Sequence, residues 1–163
     1  GNVTTTSVYT ISSDGVIDLK TTFLPQGVLP ELPRLGLAFC LAPAYNTFTW
    51  YGRGPQDNYP DRKTSAATGL WKGTVAEQYI HYPRPQDSGN KEEDVFSASA
   101  LHYTAQDLYK ETHDCNLKPR PEIILSMDAA VLGLGNSSCG PGVLKKYAIE
   151  KKEHTLHIRI SKQ

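Results

Sequence analysis

The side chains of this chain that could carry chemistry are scattered rather than clustered. Hydrolysis of a glycoside takes two carboxylates roughly 5 to 10 Å apart. The acidic run Glu92-Glu93-Asp94 follows Gly89-Asn90 and reads as a solvated loop. Asp57 and Asp61 lie in a Pro-rich stretch, where they could cap backbone N–H groups or pair with Arg53 and Arg62. Neither set identifies an acid/base pair. His113 and Cys115 have metal-compatible side chains, but two ligands make no site. His154 and His157 fall on opposite faces of one strand. His81 and His102 each stand next to a tyrosine, where a hydrogen-bonded structural histidine is the default. No nucleophile elbow, P-loop or dinucleotide fingerprint is present. Aromatic rings are the other means of holding a sugar, through its C–H face. Trp50, Tyr51, Tyr59, Trp71 and Tyr79 are the candidates, and in a chain of this size most belong to the core.

The elements that must position these groups are strands. Leu35, Leu37, Phe39 and Leu41 alternate with Gly36, Ala38, Cys40 and Ala42, and Leu156, Ile158 and Ile160 alternate with His157, Arg159 and Ser161. Ile123, Leu125 and Met127 repeat the period of two, as expected of half-buried antiparallel strands. Asp14-Gly15 marks a hairpin. A two-residue loop would put Ile11 opposite Asp18. A three-residue loop, Ser13-Asp14-Gly15, puts Ile11 opposite Ile17 and Tyr9 opposite Leu19, so this register is expected, with Gly15 left-handed. Thr104 and Asp107 form a capping-box pattern ahead of a short helix of two or three turns, with Ala105 and Leu108 facing the core. The polar stretches 53–69 and 83–94 read as ordered loops.

Bulk properties narrow the function further. The 163 residues suit one β-sandwich-sized domain, 1–163, and carry 17 basic and 17 acidic residues. With no net field, nucleic acid and anionic membranes are not expected partners. No apolar run approaches the ~20 residues of a membrane span, and Gly1-Asn2-Val3-Thr4 has no leader character. Cys40, Cys115 and Cys139 are odd in number and widely spaced. A reducing compartment is expected, the cytoplasm first and the periplasm second.

The stretch Trp50-Tyr51-Gly52-Arg53-Gly54-Pro55-Gln56-Asp57-Asn58-Tyr59-Pro60-Asp61-Arg62 resembles a signature of the C-terminal, small-chain region of glycoside hydrolase family two β-galactosidases. Leu32-Pro33-Arg34-Leu35-Gly36, Pro83-Arg84-Pro85-Gln86-Asp87-Ser88-Gly89-Asn90 and Leu132-Gly133-Leu134-Gly135-Asn136 match the same family in the same order. The resemblance implies an all-β fold: an antiparallel β-supersandwich, galactose mutarotase-like, behind a catalytic (β/α)₈ barrel. It implies a retaining hydrolase whose catalytic glutamates and Mg²⁺ ligands lie outside this chain, which itself holds no cofactor and is bacterial. Its expected partners are the remaining domains of the β-galactosidase chain, a galactoside at the domain boundary, and further copies of the full enzyme.

The family's sugar-facing loop corresponds to Gly135-Asn136-Ser137-Ser138-Cys139-Gly140-Pro141, which makes Asn136, Ser138 and Cys139 the candidate substrate-binding residues. Cys139 stands where the family carries a tryptophan, with far less stacking area. A second departure follows Asp94-Val95, where the family usually inserts another strand pair before a segment like Phe96-Ser97-Ala98-Ser99-Ala100; here the pieces abut. The rival readings are a free-standing carbohydrate-binding module and a mutarotase-like aldose epimerase using a histidine acid and a carboxylate base.

Overall fold

A computed structural model describes residues 1–136 and 139–162. The opening hairpin joins β1 (Asn2–Ile11) to β2 (Ile17–Gln26). Its register pairs Ile11 with Ile17 and Tyr9 with Leu19, as expected. Ser12 N–H donates to Val16 O at 2.9 Å, which closes a loop of Ser13-Asp14-Gly15, and Gly15 has φ +82°. A Cβ is disfavoured there by the backbone alone, since open space surrounds the position.

Strand β2 also pairs antiparallel with β9 (His154–Ile160), completing a sheet in the order β1-β2-β9. A second antiparallel sheet runs β3-β8-β7-β6, built from β3 (Arg34–Leu41), β6 (Lys91–Glu92), β7 (Ser97–Leu101) and β8 (Ile123–Val131). Strands β4 (Thr47–Gly54) and β5 (Ala67–Thr74) form a two-stranded ribbon. The alternation seen in the sequence sets the packing. Leu19, Phe23, Leu156 and Ile158 of one sheet meet Leu35 of the other, with Leu37, Phe39 and Met127 packed around them. The result is an all-β sandwich. A fully buried leucine contributes about 1.5–3 kcal/mol, and Leu19 is 1% exposed.

The helix α1 (Ala105–Lys110) is six residues long, shorter than the two or three turns expected. Its capping box is complete: Asp107 N–H donates to Thr104 Oγ1 at 3.1 Å, and Thr104 N–H donates to Asp107 Oδ2 at 2.8 Å. Leu108 is buried beside Tyr79, Leu101 and Tyr103, but Ala105 is exposed, because the short helix offers the core only one residue. Asp94, at φ +69°, lies in a tight turn closed by Glu93 N–H to Phe96 O at 2.9 Å. The chain therefore passes from β6 to β7 with no element between them.

The acidic run is solvated as expected only at Asp94, while Glu93 is half-buried and Glu92 is buried. Glu92 is 7% exposed, and its N–H donates to Asn58 Oδ1 at 3.1 Å. The Glu93 carboxylate accepts the Arg53 N–H, while Asp94 pairs with Lys63 and, at 3.0 Å, with Arg53. These carboxylates bind the 53–69 stretch to the β6 edge.

Candidate functional site

Two of the four sequence motifs, Trp50–Arg62 and Leu132–Asn136, meet in space. Strand β8 ends at Val131, and the chain then turns through Leu132-Gly133-Leu134-Gly135-Asn136. Asp61, at the end of the Trp50–Arg62 stretch, lies against this turn. Its Oδ1 accepts the Leu134 N–H at 3.0 Å and its Oδ2 accepts the Gly135 N–H at 2.8 Å. Successive amides directed at one carboxylate form a small anion-binding concavity, here filled by a side chain of the chain itself. Arg62 takes the acceptor side: its Nη2 donates to Gly135 O at 2.6 Å and to Asn136 Oδ1 at 2.8 Å.

Gly133 and Gly135 make this approach possible. A Cβ at Gly133 would stand 2.9 Å from Asp61 Cγ, and one at Gly135 would stand 2.7 Å from Val143 N. Gly135 is also left-handed at φ +60°. The loop closes on itself: Asn136 N–H donates to Pro141 O at 2.9 Å, and Cys139 N–H donates to Asn136 O at 2.9 Å. Gly133 N–H donates to Tyr147 O at 3.0 Å, tying the base of the loop to the return segment. A recess of about 370 Å³ lies beside it, lined by Asp61, Arg62, Gly135, Asn136, Pro141 and Tyr147.

Among the residues singled out from sequence, Asn136 and Cys139 are exposed on this loop. Ser138 lies outside the described residues. Asp61 does cap backbone N–H groups, one of the two roles open to it, while Arg62 pairs with the loop rather than with an aspartate. No sequence signal joins positions 73 and 74 residues apart, so Asp61 and Arg62 were missed as parts of a site.

The aromatic candidates divide. Tyr59 and Tyr79 are buried, and desolvation pushes the hydroxyls of both well above the usual tyrosine range. The indole N–H groups of Trp50 and Trp71 donate to Arg53 O and Gly52 O at 3.0 and 3.1 Å. Tyr51 is exposed. Two histidines make polar contacts: His81 Nδ1 lies 2.7 Å from Asp114 Oδ2 in connecting segments, and His102 Nδ1 lies 2.9 Å from Arg120 O. On the sheet, His157 Nε2 stands 3.6 Å from Asp18 Oδ1 and is largely exposed. Among the described residues no three of His, Cys, Asp and Glu come together to hold a metal ion. No described helix is long and apolar enough to cross a membrane.

What Asp61 and Arg62 can do is hold a surface loop in one shape. An all-β sandwich with a clamped surface loop is the class of domain that the fold and this loop define.

Comparison with known proteins agrees with that class. The family model described as "Beta galactosidase small chain" matches residues 1–160. Relatives include the β-galactosidase of Actinobacillus pleuropneumoniae, 31% identical over 159 residues, and that of Kluyveromyces lactis, 30% identical over 169. These alignments cover 89% and 91% of this chain and 16% of each relative. The β-galactosidase of Priestia megaterium is 46% identical over 83 residues, covering 51% of this chain and 8% of that protein. The chain belongs to the β-galactosidase small-chain family.

Proposed function

We propose that this chain is an accessory domain of a retaining β-galactosidase that hydrolyses terminal β-D-galactosides of the lactose type. It completes one wall of the active site and supports assembly, and it is not catalytic alone. The observation that carries this reading is coverage: the family match runs from residue 1 to 160, while the chain spans only 16% of the relatives aligned along most of it. The catalytic glutamates and the Mg²⁺ ligands then belong to other parts of the enzyme. Residues 1–163 form one domain, and Asn136, Ser138 and Cys139 are its substrate-binding residues for a galactoside at the domain boundary. An apolar recess of about 760 Å³, lined by Phe39, Leu41, Leu125, Met127 and Ile160, supports a role within a larger assembly, since apolar surface of this kind favours a covering partner. The compartment is the bacterial cytoplasm, where exposed cysteines such as Cys40 and Cys115 stay reduced.

The test is a bulky charge on the wall. In the intact polypeptide, Cys139→Arg is expected to raise the KM for a nitrophenyl galactoside by roughly tenfold or more, about 1.4 kcal/mol of lost binding. An unchanged KM removes the loop from the site. Galactose binding by the 163 residues alone would favour a free-standing sugar-binding module.

A further inference from the structure

We infer that Asp61 and Arg62 are positioning residues for galactoside recognition, acting through the 133–142 loop without touching the sugar. The inference rests on the loop's place at the active-site wall and goes beyond it, because it assigns the loop's shape to two residues of a distant segment. Three observations carry it.

First, both oxygens of Asp61 are used, on two successive loop amides, at 3.0 and 2.8 Å. A carboxylate that accepts two N–H groups from one turn fixes the orientation of both peptide planes, which one bond would leave free to rotate. Second, Arg62 grips the same turn from its acceptor side, through Gly135 O and the Asn136 carboxamide. The Gly135 peptide is thus held at its N–H by Asp61 and at its C=O by Arg62. Third, the loop is built to admit the clamp. Gly133 leaves the space that Asp61 occupies, and a Cβ there would sit 3.0 Å from the carboxylate Oδ2.

The clamp accounts for an otherwise odd feature of the loop. Among the described residues, Asn136 N–H donates to Pro141 O, and the Cys139 and Gly140 N–H groups donate to Asn136 O. A turn bonded to itself in this way takes its orientation from whatever holds its base. Asp61 and Arg62 grip the Leu134–Asn136 base, and Asn136 and Cys139 are both exposed on the turn that it carries. A wall whose base is not held binds a substrate less tightly without altering the bond-breaking groups, because part of the binding free energy goes into orienting it. The expected signature therefore falls on KM far more than on kcat.

The experiment uses the intact β-galactosidase polypeptide and four variants. Asp61→Ala and Arg62→Ala are each expected to raise KM for a nitrophenyl galactoside roughly tenfold, while kcat falls less than about threefold; hydrogen bonds to charged groups are worth that much. Asp61→Asn retains one acceptor and Arg62→Lys retains the charge and a donor, so each is expected to recover part of the lost affinity. Hydrogen exchange gives a readout independent of activity: in Asp61→Ala the Leu134 and Gly135 amides should exchange roughly tenfold faster, with β8 unchanged. A fifth protein, with 136–141 replaced by a Gly-Ser linker, separates the two layers of the argument. If the linker raises KM but Asp61→Ala and Arg62→Ala do not, the clamp is wrong and the wall stands. If the linker leaves KM unchanged, the wall is wrong, and the positioning role falls with it. Equal losses in kcat and kcat/KM, or exchange rising throughout β8, would show a general folding defect and also overturn the assignment.

Discussion

Lys91 is 3% exposed, with its ammonium 5.0 Å from the centre of the Trp50 ring. Burial lowers its pKa from 10.5 to about 8. The folded state therefore releases this proton more readily than the unfolded chain, which costs on the order of 3 kcal/mol at neutral pH. Above the folded pKa the unfolded state holds more protons, so stability is expected to rise with pH from about 8 toward 10. Beyond that the buried hydroxyls of Tyr59 and Tyr79 act in the opposite sense: their raised pKa makes ionisation favour the unfolded chain. Lys91→Met keeps the packing over Trp50 and removes the buried charge. It is expected to stabilise the fold at pH 7 by about 1–2 kcal/mol and to flatten the rise above pH 8, as measured by denaturant midpoints. A less stable variant at pH 7 would mean that the contact with Trp50 outweighs desolvation. Residue types alone could not give this environment. Lys91 sits in a polar run, Glu92-Glu93-Asp94 follows it, and nothing local says that this segment is drawn inward. The same limit applied to Asp61: capping was legible as a role, whereas the amides it caps lie in another motif.

At the scale of elements the sequence was most informative where the argument is local. The register of β1 and β2 follows from which slip places Tyr9 and Ile11 opposite Leu19 and Ile17, and the structure has that register. Gly15→Ala is expected to cost about 1 kcal/mol, because only the backbone objects to the change. A thermal melt with no shift would contradict that turn geometry. The capping box of α1 was equally legible, the helix length was not. A helix this short is not self-sustaining, and its extent is decided by what buries Leu108 and by the Arg120 side chain. Arg120 donates from Nε and Nη2 to both oxygens of Asp107, at 2.6 and 2.9 Å, and holds that carboxyl well below the usual range. Since the folded pKa is depressed, the stabilisation is present above about pH 4 and is lost as pH falls through the acid range. Thr104→Ala is expected to cost about 1 kcal/mol at pH 7. Asp107→Asn should remove part of the acid-limb slope as well, and an unchanged limb would contradict the pairing.

Across the whole molecule, the fold class followed from strand alternation, and the family from the order of four motifs. The physical basis of that order is visible in the structure: the Trp50–Arg62 stretch and the Leu132–Asn136 turn are joined by Asp61 and Arg62. At the same scale, Asp61 caps loop amides, Asp107 pairs with Arg120, and Glu93 holds the 53–69 stretch to the β6 edge. The account's central claim, that these residues are one supporting domain of a larger β-galactosidase, is tested most directly by the size of the native polypeptide. An antibody raised against this chain would be used on denatured lysate from its source. A band several times larger than 18.0 kDa, copurifying with β-galactosidase activity, is the expected result. A single band at 18.0 kDa would contradict the account and leave a stand-alone protein whose loop must be explained by another ligand.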